Sequence, residues 1–301
     1  MTMTKCSSRM NFKRKIKDIM KFLIVPISPT LDTKLAYRSA FGKKINLKNP
    51  TTLNEKILYL KLNYYKNNEI VTECSDKYAI REYLFQKNMQ NLLPKLYGAY
   101  TRIQDIEWDK FPNSFVIKCN HGCGYNIIVP DKGHFNRDVQ LKKLKKWMKE
   151  DYWKKGEIQY KYIKKKIIVE EYLGDVKTYK FYCFNGEPKV MYISSNEWKN
   201  GVCEKDKYID FFDMNFNHVE CILKGHDNSP YEVDKPINFS EMIKISKDLS
   251  KDFPFVRVDL YDANGEIYIS ELTFCPTNGF MQLEPSNLID KWGKWLDLEK
   301  T

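Results

Sequence analysis

Residues 255–273 read FVRVDLYDANGEIYISELT and give the most direct indication of the class of fold. Two runs rich in β-branched and aromatic residues flank the dipeptide Asn264-Gly265, which is a strong signal for a tight turn. We therefore predict a β-hairpin that pairs residues 255–261 with residues 266–273. Strands paired in this way belong to antiparallel sheets rather than to a parallel α/β sheet.

Four polar side chains of this hairpin could share one face. Arg257 and Asp259 alternate on the first strand, so they point to the same side. The same holds for Glu271 and Thr273 on the second strand. A two-residue turn would place the two pairs on opposite faces, whereas a three- or five-residue loop with Gly265 in the left-handed region would bring them together. Carboxylates and an arginine on one face suit Mg²⁺ and phosphate; the alternative is an exposed face with cross-strand ion pairs.

A second predicted hairpin joins residues 115–117 to residues 127–129. Lys118 ends its first strand, and the loop that follows contains two glycines, Gly122 and Gly124. Glycines let backbone N–H groups approach a phosphate, and a lysine adds a point charge. A nucleotide P-loop would continue into a helix, but this loop returns into a strand, so we interpret it as a flap. The alternative is a solvated lysine beside a loop histidine, His121, that has no task.

The segment Ile168-Val-Glu170-Glu171-Tyr-Leu173-Gly174 runs from an apolar strand into paired acids and a Leu-Gly step. This pattern is compatible with a hinge between two lobes, where backbone groups could read the edge of an adenine. Taken in isolation, the pattern favours a simple strand end.

The composition of the chain limits the classes of protein to which it can belong. The chain has 301 residues and a formal net charge of +11, which indicates about two domains and favours anionic partners. With 43% hydrophobic residues the chain is not a disordered or low-complexity protein. Eight cysteines without a CxxC pair and four histidines make a structural zinc site improbable, and we interpret the cysteines as reduced thiols. We find no signal peptide and no membrane-spanning run, and we expect a cytoplasmic protein, in contact with the inner face of the membrane if its N-terminus binds lipid.

The rest of the chain predicts an α+β fold with a helical N-terminal region. Thr52 and Glu55 form a capping signature that starts a helix over residues 51–65. Asn185-Gly186 indicates a hairpin over residues 179–193. Further helices are predicted over residues 76–87, 137–152 and 240–251, and further strands over residues 167–169 and 208–212. We expect four segments, which cover residues 1–35, 36–110, 111–172 and 173–301.

Residues 10–25 combine apolar positions at helical spacing with Lys13, Arg14, Lys15 and Lys17. One interpretation is a helix that packs on the body of the protein. The other is an amphipathic segment that binds anionic lipid, and thus a peripheral membrane contact.

The order of these pieces resembles the ATP-grasp superfamily. Asp76-Lys77, the strand-end Lys118, the Glu170–Leu173 run and Arg257-Val-Asp259 follow one another as the corresponding motifs do in D-alanine–D-alanine ligase. The resemblance implies two antiparallel α+β lobes that enclose a nucleotide cleft.

Within that superfamily the chain resembles the TupA-like ATP-grasp family, which is named for teichuronopeptide synthesis. The resemblance covers roughly residues 35–285. It rests on five runs, NPTTLNEK at 49–56, DKYAIR at 76–81, IKCNHGCG at 117–124, YKFYCFNG at 179–186 and ELTF at 271–274.

The chain departs from the ATP-grasp pattern at two positions. Thr273 stands where many members have an asparagine ligand for the metal, although the TupA-like pattern itself favours threonine. Thr178 stands where an acid that contacts ribose is expected, so Asp175 or a water would take that role.

The resemblance implies ATP-dependent ligation of a carboxylate to an amine through an acyl phosphate. Arg257 is the expected catalytic residue, and Asp259, Glu271 and Thr273 are the expected Mg²⁺ ligands. The expected ATP-binding residues are Lys77, Lys118, Asn120, His121, Gly122, Gly124, Glu170, Glu171, Leu173, Asp175 and Lys180. The implied partners are ATP, an acidic sugar or polysaccharide precursor, and an amino acid or amine.

Two other enzymes remain alternatives, a glycosyltransferase and an ATP-dependent kinase of a capsule or cell-envelope polysaccharide pathway. A glycosyltransferase would need a metal-binding DxD motif, which Asp206, Asp210 and Asp213 do not supply. A third alternative is a non-catalytic module driven by the net charge. We expect no nucleic-acid partner, because Lys142–Lys146 is typical of a solvated helix face.

Overall fold

The computed structural model of the chain describes residues 21–199 and 202–300, and the side chains of residues 196–199 and 202–207 are left out of the description. Residues 1–20, which hold most of the predicted amphipathic segment, lie outside the described residues. Residues 21–27 are helical. In the described ranges we find no helix with both the length and the apolar character needed to cross a bilayer.

The described residues form helices in the N-terminal third and mostly strands thereafter, as the sequence predicts. The helices are α1 (Pro29–Phe41), α2 (Leu53–Asn63), α3 (Glu69–Ser75), α4 (Ile80–Gln86), α5 (Arg137–Lys149), α6 (Phe239–Ser250) and α7 (Leu288–Gly293). The strands are β1 (Leu96–Tyr100), β2 (Phe115–Cys119), β3 (Asn126–Val129), β4 (Ile167–Glu171), β5 (Lys177–Phe184), β6 (Glu187–Lys199), β7 (Val202–Asp213), β8 (His218–Val219), β9 (Ile222–Leu223), β10 (Phe255–Ala263), β11 (Glu266–Thr273) and β12 (Leu283–Glu284).

The first sheet has four antiparallel strands in the order β1-β4-β2-β3. Its core is made of apolar residues from β2, β3, β4 and the connecting segments, with Leu144 of α5 fully buried among them. The β2–β3 hairpin agrees with the predicted flap. Strand β1 is absent from the sequence prediction, because its five residues include Gly98 and show no alternation of buried and exposed positions.

The second sheet has six strands in the order β11-β10-β5-β6-β7-β8. The β5–β6 hairpin turns at Asn185 and Gly186, whose φ angles of 47° and 82° fit the two-residue turn that the sequence predicts. Aromatic residues make up about a third of the core of this sheet, and α2, α6 and α7 contribute to the same core. A separate short pair joins β12 to β9.

The β10–β11 hairpin corrects one prediction. Its turn is the tight two-residue turn, since Ala263 pairs directly with Glu266, and not a three- or five-residue loop. The register then shifts between Asp259 and Leu260, where Ser270 is the additional residue of a β-bulge. A bulge of one residue shifts the alternation of side chains, so that residues beyond the bulge point to the opposite face of the sheet. Asp259 therefore pairs with Glu271 and Arg257 with Thr273, so the two polar pairs do share a face.

Local signals explain where α2 and α4 begin. The Thr52 hydroxyl accepts from the Glu55 backbone N–H, and the Glu55 carboxylate accepts from the Thr52 N–H, which completes the predicted capping box. The helix predicted from residue 76 begins instead at Ile80. The Asp76 carboxylate accepts from the N–H groups of Tyr78 and Ala79 at 2.7 and 3.2 Å, and this turn delays the helix.

Glu55 accepts four hydrogen bonds, three of them from the backbone N–H groups of Asn46, Thr51 and Thr52. These bonds hold the residue's pKa below its ordinary value although burial opposes its charge. We expect Glu55→Ala to lower the free energy of unfolding by about 2 kcal/mol, because three partly buried donors lose their acceptor. Urea unfolding measures the change. Glu69→Ala, at an exposed first-turn acid of α3, is the matched control, with an expected change below about 0.5 kcal/mol. Equal effects of the two substitutions would contradict the structural role of Glu55.

Candidate functional site

A cleft of about 480 Å³ lies between the two sheets. The flap hairpin forms one wall, strands β5, β10 and β11 form the other, and the segment between β4 and β5 closes one end. Of the predicted site residues, those that line the cleft are Lys77, Lys118, Gly124, Glu171, Leu173, Asp175, Lys180, Asp259 and Glu271. The size is within the usual range for a small-molecule site.

Lys118 stands at the end of β2 and is held by Glu170 of β4. Its Nζ lies 2.7 Å from Glu170 Oε2, and the other carboxylate oxygen lies 2.6 Å from Arg81 Nη2. Burial would raise the pKa of Glu170, but the two cations hold that pKa below its ordinary value. Burial would likewise lower the pKa of Lys118, and Glu170 raises it. The lysine is therefore charged and fixed in direction.

Lys77 connects the two walls of the cleft. It lies in the turn between α3 and α4 that Asp76 fixes, and its Nζ donates to the carbonyl oxygen of Gly122 in the flap loop at 2.8 Å. The same Nζ lies 3.9 Å from Glu271 Oε2 on the opposite sheet. One lysine thus contacts both the flap and the acidic strand.

Asn120 is fully buried, and its side chain supports the flap from below. Its amide nitrogen donates to Asp76 Oδ1 at 2.8 Å and to the carbonyl of Lys164 at 3.0 Å, and its amide oxygen accepts from the Lys166 N–H at 2.6 Å. The side chain is engaged inside the protein in this structure, and the expected contact of Asn120 with ATP stays a prediction. Asn120 ties the flap to the Lys77 turn.

His121 is also turned inward. Its ring is 2% exposed, and its Nε2 lies 3.1 Å from the carbonyl oxygen of Trp147. Burial lowers the pKa of the imidazole. His121 thus lies beneath the loop in this structure, and its expected contact with a phosphate stays a prediction.

The two glycines of the flap serve different needs. A Cβ on Gly122 would lie 2.6 Å from the ring of Tyr152, so only glycine fits against this aromatic side chain. Gly124 has a φ of 74° and open space around it. It is the left-handed residue that lets the loop turn back into β3 beside the cleft.

Residues 172–176 form the irregular connection between β4 and β5. The Glu171 N–H donates to the carbonyl of Lys95 at 2.9 Å, which anchors the start of the connection. Leu173 and Asp175 line the cleft, and Gly174 between them has a φ of 84°. The segment therefore presents backbone groups and one exposed carboxylate at this end of the cleft.

Arg257 and Asp259 form a buried bidentate pair, with both N···O distances at 2.6 Å. Arg257 Nη2 also donates to the Thr273 hydroxyl at 3.1 Å and lies 3.7 Å from Glu271 Oε1. The Thr273 hydroxyl in turn donates to Glu271 Oε1 at 3.2 Å. Burial would lower the pKa of Arg257, but Asp259 raises it well above its ordinary value. Arg257 and Asp259 are buried and the Glu271 side chain is 28% exposed at the cleft, so this face is not the solvent-exposed face of the alternative.

Lys180 of β5 is directly opposite Asp259 in the register of β10. Burial opposes its charge, but Asp259 raises its pKa, and its Nζ lies 5.4 Å from the centre of the Tyr192 ring. The cations Lys77, Lys118 and Lys180 thus reach the cleft from three separate elements. We expect an anion to be favoured between them.

The acids of the cleft fit a hard divalent cation. Asp259 and Glu271 offer carboxylate oxygens at opposed positions, and Mg²⁺ is commonly held by one or two carboxylates together with substrate phosphates. Within the described ranges there is no group of three or more His, Cys, Asp or Glu residues that could hold a metal without such help. The Thr273 hydroxyl lies between Arg257 and Glu271 and orients both.

Three contributors are missing from the sequence prediction. Arg81 belongs to the quoted DKYAIR run, and its spacing from Lys77 by four residues is the signal that could have marked it. Glu157 accepts from the Tyr152 hydroxyl at 3.1 Å. Burial and the neighbouring Glu271 raise the pKa of Glu157, although nearby lysines oppose this shift. The residue lies in an irregular segment, where no periodic pattern points to it. The bulge at Ser270 has no local signal either.

Residues 55–295 match the sequence model of the family described as TupA-like ATPgrasp. This match spans most of the chain, and the chain belongs to that family, within the ATP-grasp superfamily of ligases. The α+β architecture with two antiparallel sheets around a cleft is accordingly the ATP-grasp fold. No curated protein matches the sequence at a significant level.

Solved structures of ATP-grasp proteins are similar at low identity. D-alanine–D-alanine ligase from Bacillus anthracis has 17% identity and a TM-score of 0.42, over 67% of this chain and 57% of that one. L-amino acid ligase from Bacillus licheniformis has 13% identity and a TM-score of 0.45, over 75% of this chain and 49% of that one. N5-carboxyaminoimidazole synthetase from Staphylococcus aureus, complexed with ADP, has 15% identity and a TM-score of 0.40, over 77% and 54%. The chain spans about half the length of these structures.

The ion pairs of Glu170 predict a pH-dependent stability. Its folded pKa is held below the ordinary value of 4.5, so its contribution is complete above that value and is lost as the pH falls through the folded pKa. Glu170→Gln should lower the free energy of unfolding by about 3 kcal/mol at pH 7, because two buried cations lose their partner. The difference from the parent protein should narrow below about pH 4.5.

Urea unfolding at pH 7 and at a series of lower pH values measures this difference. Glu241→Gln, at a side chain that is 55% exposed, is the control and should change stability little at any pH. A difference for Glu170→Gln that stays constant with pH would contradict the assignment.

Proposed function

We propose that this member of the TupA-like ATP-grasp family is an ATP-dependent ligase that joins a carboxylate to an amine. The observation that carries the proposal is the arrangement of the cleft. Lys77, Lys118 and Lys180 line the cleft together with the acids Asp259 and Glu271, and the irregular residues 171–175 line it as well. This is the arrangement that a triphosphate with a base at its far end requires.

In the proposed binding mode, Lys118 and Lys77 contact the phosphates and the flap loop covers them through its backbone N–H groups. Residues 171–175 receive the adenine and ribose, with Asp175 as the exposed carboxylate nearest the expected ribose position. The segments 111–172 and 173–301 are then the two lobes of the ligase, and β1 adds its strand to the first lobe.

The proposed reaction needs no protein nucleophile. A substrate carboxylate oxygen attacks the γ-phosphorus of ATP, the bond to the β,γ-bridging oxygen breaks, and ADP leaves. An amine then attacks the acyl carbon, loses a proton, and expels inorganic phosphate as the amide forms. The protein contributes position and charge, which can supply a large part of the rate enhancement.

Mg²⁺ fits beside Asp259 and Glu271, and when bound it would supply additional positive charge to the phosphates. Arg257 holds the Asp259 carboxylate in place and brings its own charge near the acids. We assign it the stabilisation of negative charge on the acyl phosphate. Thr273 orients Arg257 and Glu271 through its hydroxyl, so we assign it a positioning role.

The proposed substrates follow the family. The carboxylate would be a uronic acid of a surface polysaccharide or its precursor, and the amine would be an amino acid or a simple amine. Cytoplasmic ATP would drive the reaction, at the inner face of the membrane if the acceptor is linked to lipid.

Nucleotide binding and turnover should respond to different substitutions. Lys118→Ala should weaken ATP binding roughly tenfold or more, because a charged contact to phosphate is lost. Glu271→Gln should leave ATP binding within a few-fold and reduce turnover by about 100-fold or more. Isothermal titration and phosphate release measure the two effects.

Lys189→Ala, at an exposed lysine of β6, is the matched control and should leave both quantities unchanged. Wild-type turnover in Glu271→Gln would remove the acid from the proposed machinery. Absence of any thermal stabilisation by ATP and Mg²⁺ would count against every ATP-dependent function.

The identity of the reaction follows from its products. Incubation with ATP, Mg²⁺ and mixtures of uronic acids and amino acids should release phosphate only when both a carboxylate and an amine are present. Mass spectrometry should then show a product one water lighter than the sum of the two. A stable phosphorylated sugar would indicate a kinase instead, and transfer from a nucleotide sugar without ATP would indicate a glycosyltransferase.

A further inference from the structure

Helix α1 exposes its apolar side chains and buries polar ones. Leu31 and Leu35 are each 48% exposed, whereas the buried residues of the helix are Asp32, Thr33 and Tyr37. A helix on the surface of a globular protein ordinarily turns its leucines toward the core. The outer face of α1 therefore has an apolar character that packing inside the chain does not explain.

The helical residues that precede α1 continue this surface. Leu23 is 65% exposed and Ile27 is 86% exposed, and their spacing of four residues places them on one side of the helix. Four large aliphatic side chains are thus accessible within a span of thirteen residues. Exposed apolar side chains that are grouped in this way often mark a binding site, whereas single exposed apolar side chains scattered over a surface do not.

Basic side chains surround these apolar residues. Lys34 and Arg38 are exposed, at three and seven residues after Leu31, so they lie on the same face of α1 as the leucines. Lys43, Lys44 and Lys48 are exposed in the segment that follows. The nearby acid, Asp32, is buried.

The sequence shows how strongly the charge is concentrated. Residues 1–54 contain 12 Lys or Arg and 2 Asp or Glu, whereas residues 55–301 contain 38 and 37. Almost the whole net charge of +11 therefore belongs to the first 54 residues. The nucleotide cleft does not account for this excess of positive charge, because its three lysines are balanced by a similar number of Asp and Glu residues.

We propose that residues 21–48 form a docking surface for an anionic membrane, here named the basic apolar surface. Exposed aliphatic side chains among lysines and arginines are typical of helices that lie in the headgroup region. A surface for nucleic acid would instead carry several aromatic side chains for stacking, whereas Phe22, at 41% exposure, is the one exposed aromatic residue among residues 21–48. A second copy of the chain would bring like charges together, which opposes association.

The basic apolar surface is attached to the body of the protein. Tyr37 of α1 is buried, and the ring centre of Phe41 at the end of the helix lies 6.4 Å from that of Phe280, in the loop after β11. Lys21 Nζ donates to the carbonyl of Lys155 at 2.8 Å. Docking would therefore fix the orientation of the two lobes relative to the bilayer, and not only tether the chain.

The test is co-sedimentation of the full chain with vesicles, without ATP. Phosphatidylcholine vesicles that contain about 30% phosphatidylglycerol should bind the parent protein, and vesicles of phosphatidylcholine alone should not. The double variant Leu31→Glu/Leu35→Glu should reduce binding roughly tenfold or more, since it removes apolar contacts and adds negative charge. Lys34→Glu/Arg38→Glu should have a similar effect, and added salt should weaken binding by the parent protein.

Ile237→Glu is the matched control. Ile237 is 90% exposed outside this surface, so the substitution replaces an apolar side chain with one carboxylate, where the leucine double variant places two, and it should leave vesicle binding unchanged. Thermal unfolding of each variant verifies the fold. Because the assay contains no nucleotide, a failure of the ligase assignment does not affect its outcome, and the reverse also holds.

Three results would overturn the proposal. They are absence of binding to anionic vesicles, equal binding by the parent protein and both double variants, and a parent dimer that the Leu31→Glu/Leu35→Glu variant dissociates while no vesicle binding is seen. Tighter binding of an oligonucleotide than of vesicles, lost in the same variants, would assign the surface to nucleic acid instead.

Discussion

The structure depends on the compensation of charges that are buried between two sheets. Glu170 holds Lys118 and Arg81 in the first lobe, and Arg257 holds Asp259 in the second. Charged groups out of water are costly unless they are paired, and removal of one partner leaves the other uncompensated. Lys77 closes the arrangement, because it reaches the flap carbonyl and the Glu271 carboxylate together. The two sheets are thus linked by charge across the cleft.

The same compensation prepares the site for its proposed ligand. Lys118 and Lys180 are directed into the cleft by acids that also raise the lysines' pKa values, so both are charged before a phosphate arrives. Beneath them, Asn120 connects the flap to the Asp76 turn through a bond of 2.8 Å, and to the backbone of Lys164 and Lys166 through bonds of 3.0 and 2.6 Å. Charge that is fixed in advance needs little rearrangement when negative charge develops, which is the main electrostatic advantage of an enzyme over water.

Features that arise from neighbouring residues could be predicted from the sequence. The turns at Asn185-Gly186 and Asn264-Gly265 and the capping box of Thr52 and Glu55 each follow from a few adjacent side chains. The family resemblance predicted that the separate motifs would line one cleft.

Features that depend on distant partners could not be predicted. The inward direction of Asn120 is set by backbone groups of residues 164–166, and the pairing of Arg81 with Glu170 spans 89 positions. The β10–β11 hairpin shows both cases. The shared face was expected, but the device that produces it is a bulge at Ser270 and not a longer loop.

Because of that bulge, the direction of the side chains at the base of the hairpin does not depend on the length of the turn at its tip. Ile269 faces the core and Glu271 faces the cleft, although a regular strand would direct both the same way. A hairpin that has absorbed one additional residue in this manner keeps its tight turn at the tip and its acids at the base. Insertions or deletions during divergence can therefore be accommodated within the strand, and the spacing between Asp259 and Glu271 need not be constant among relatives whose sites are alike.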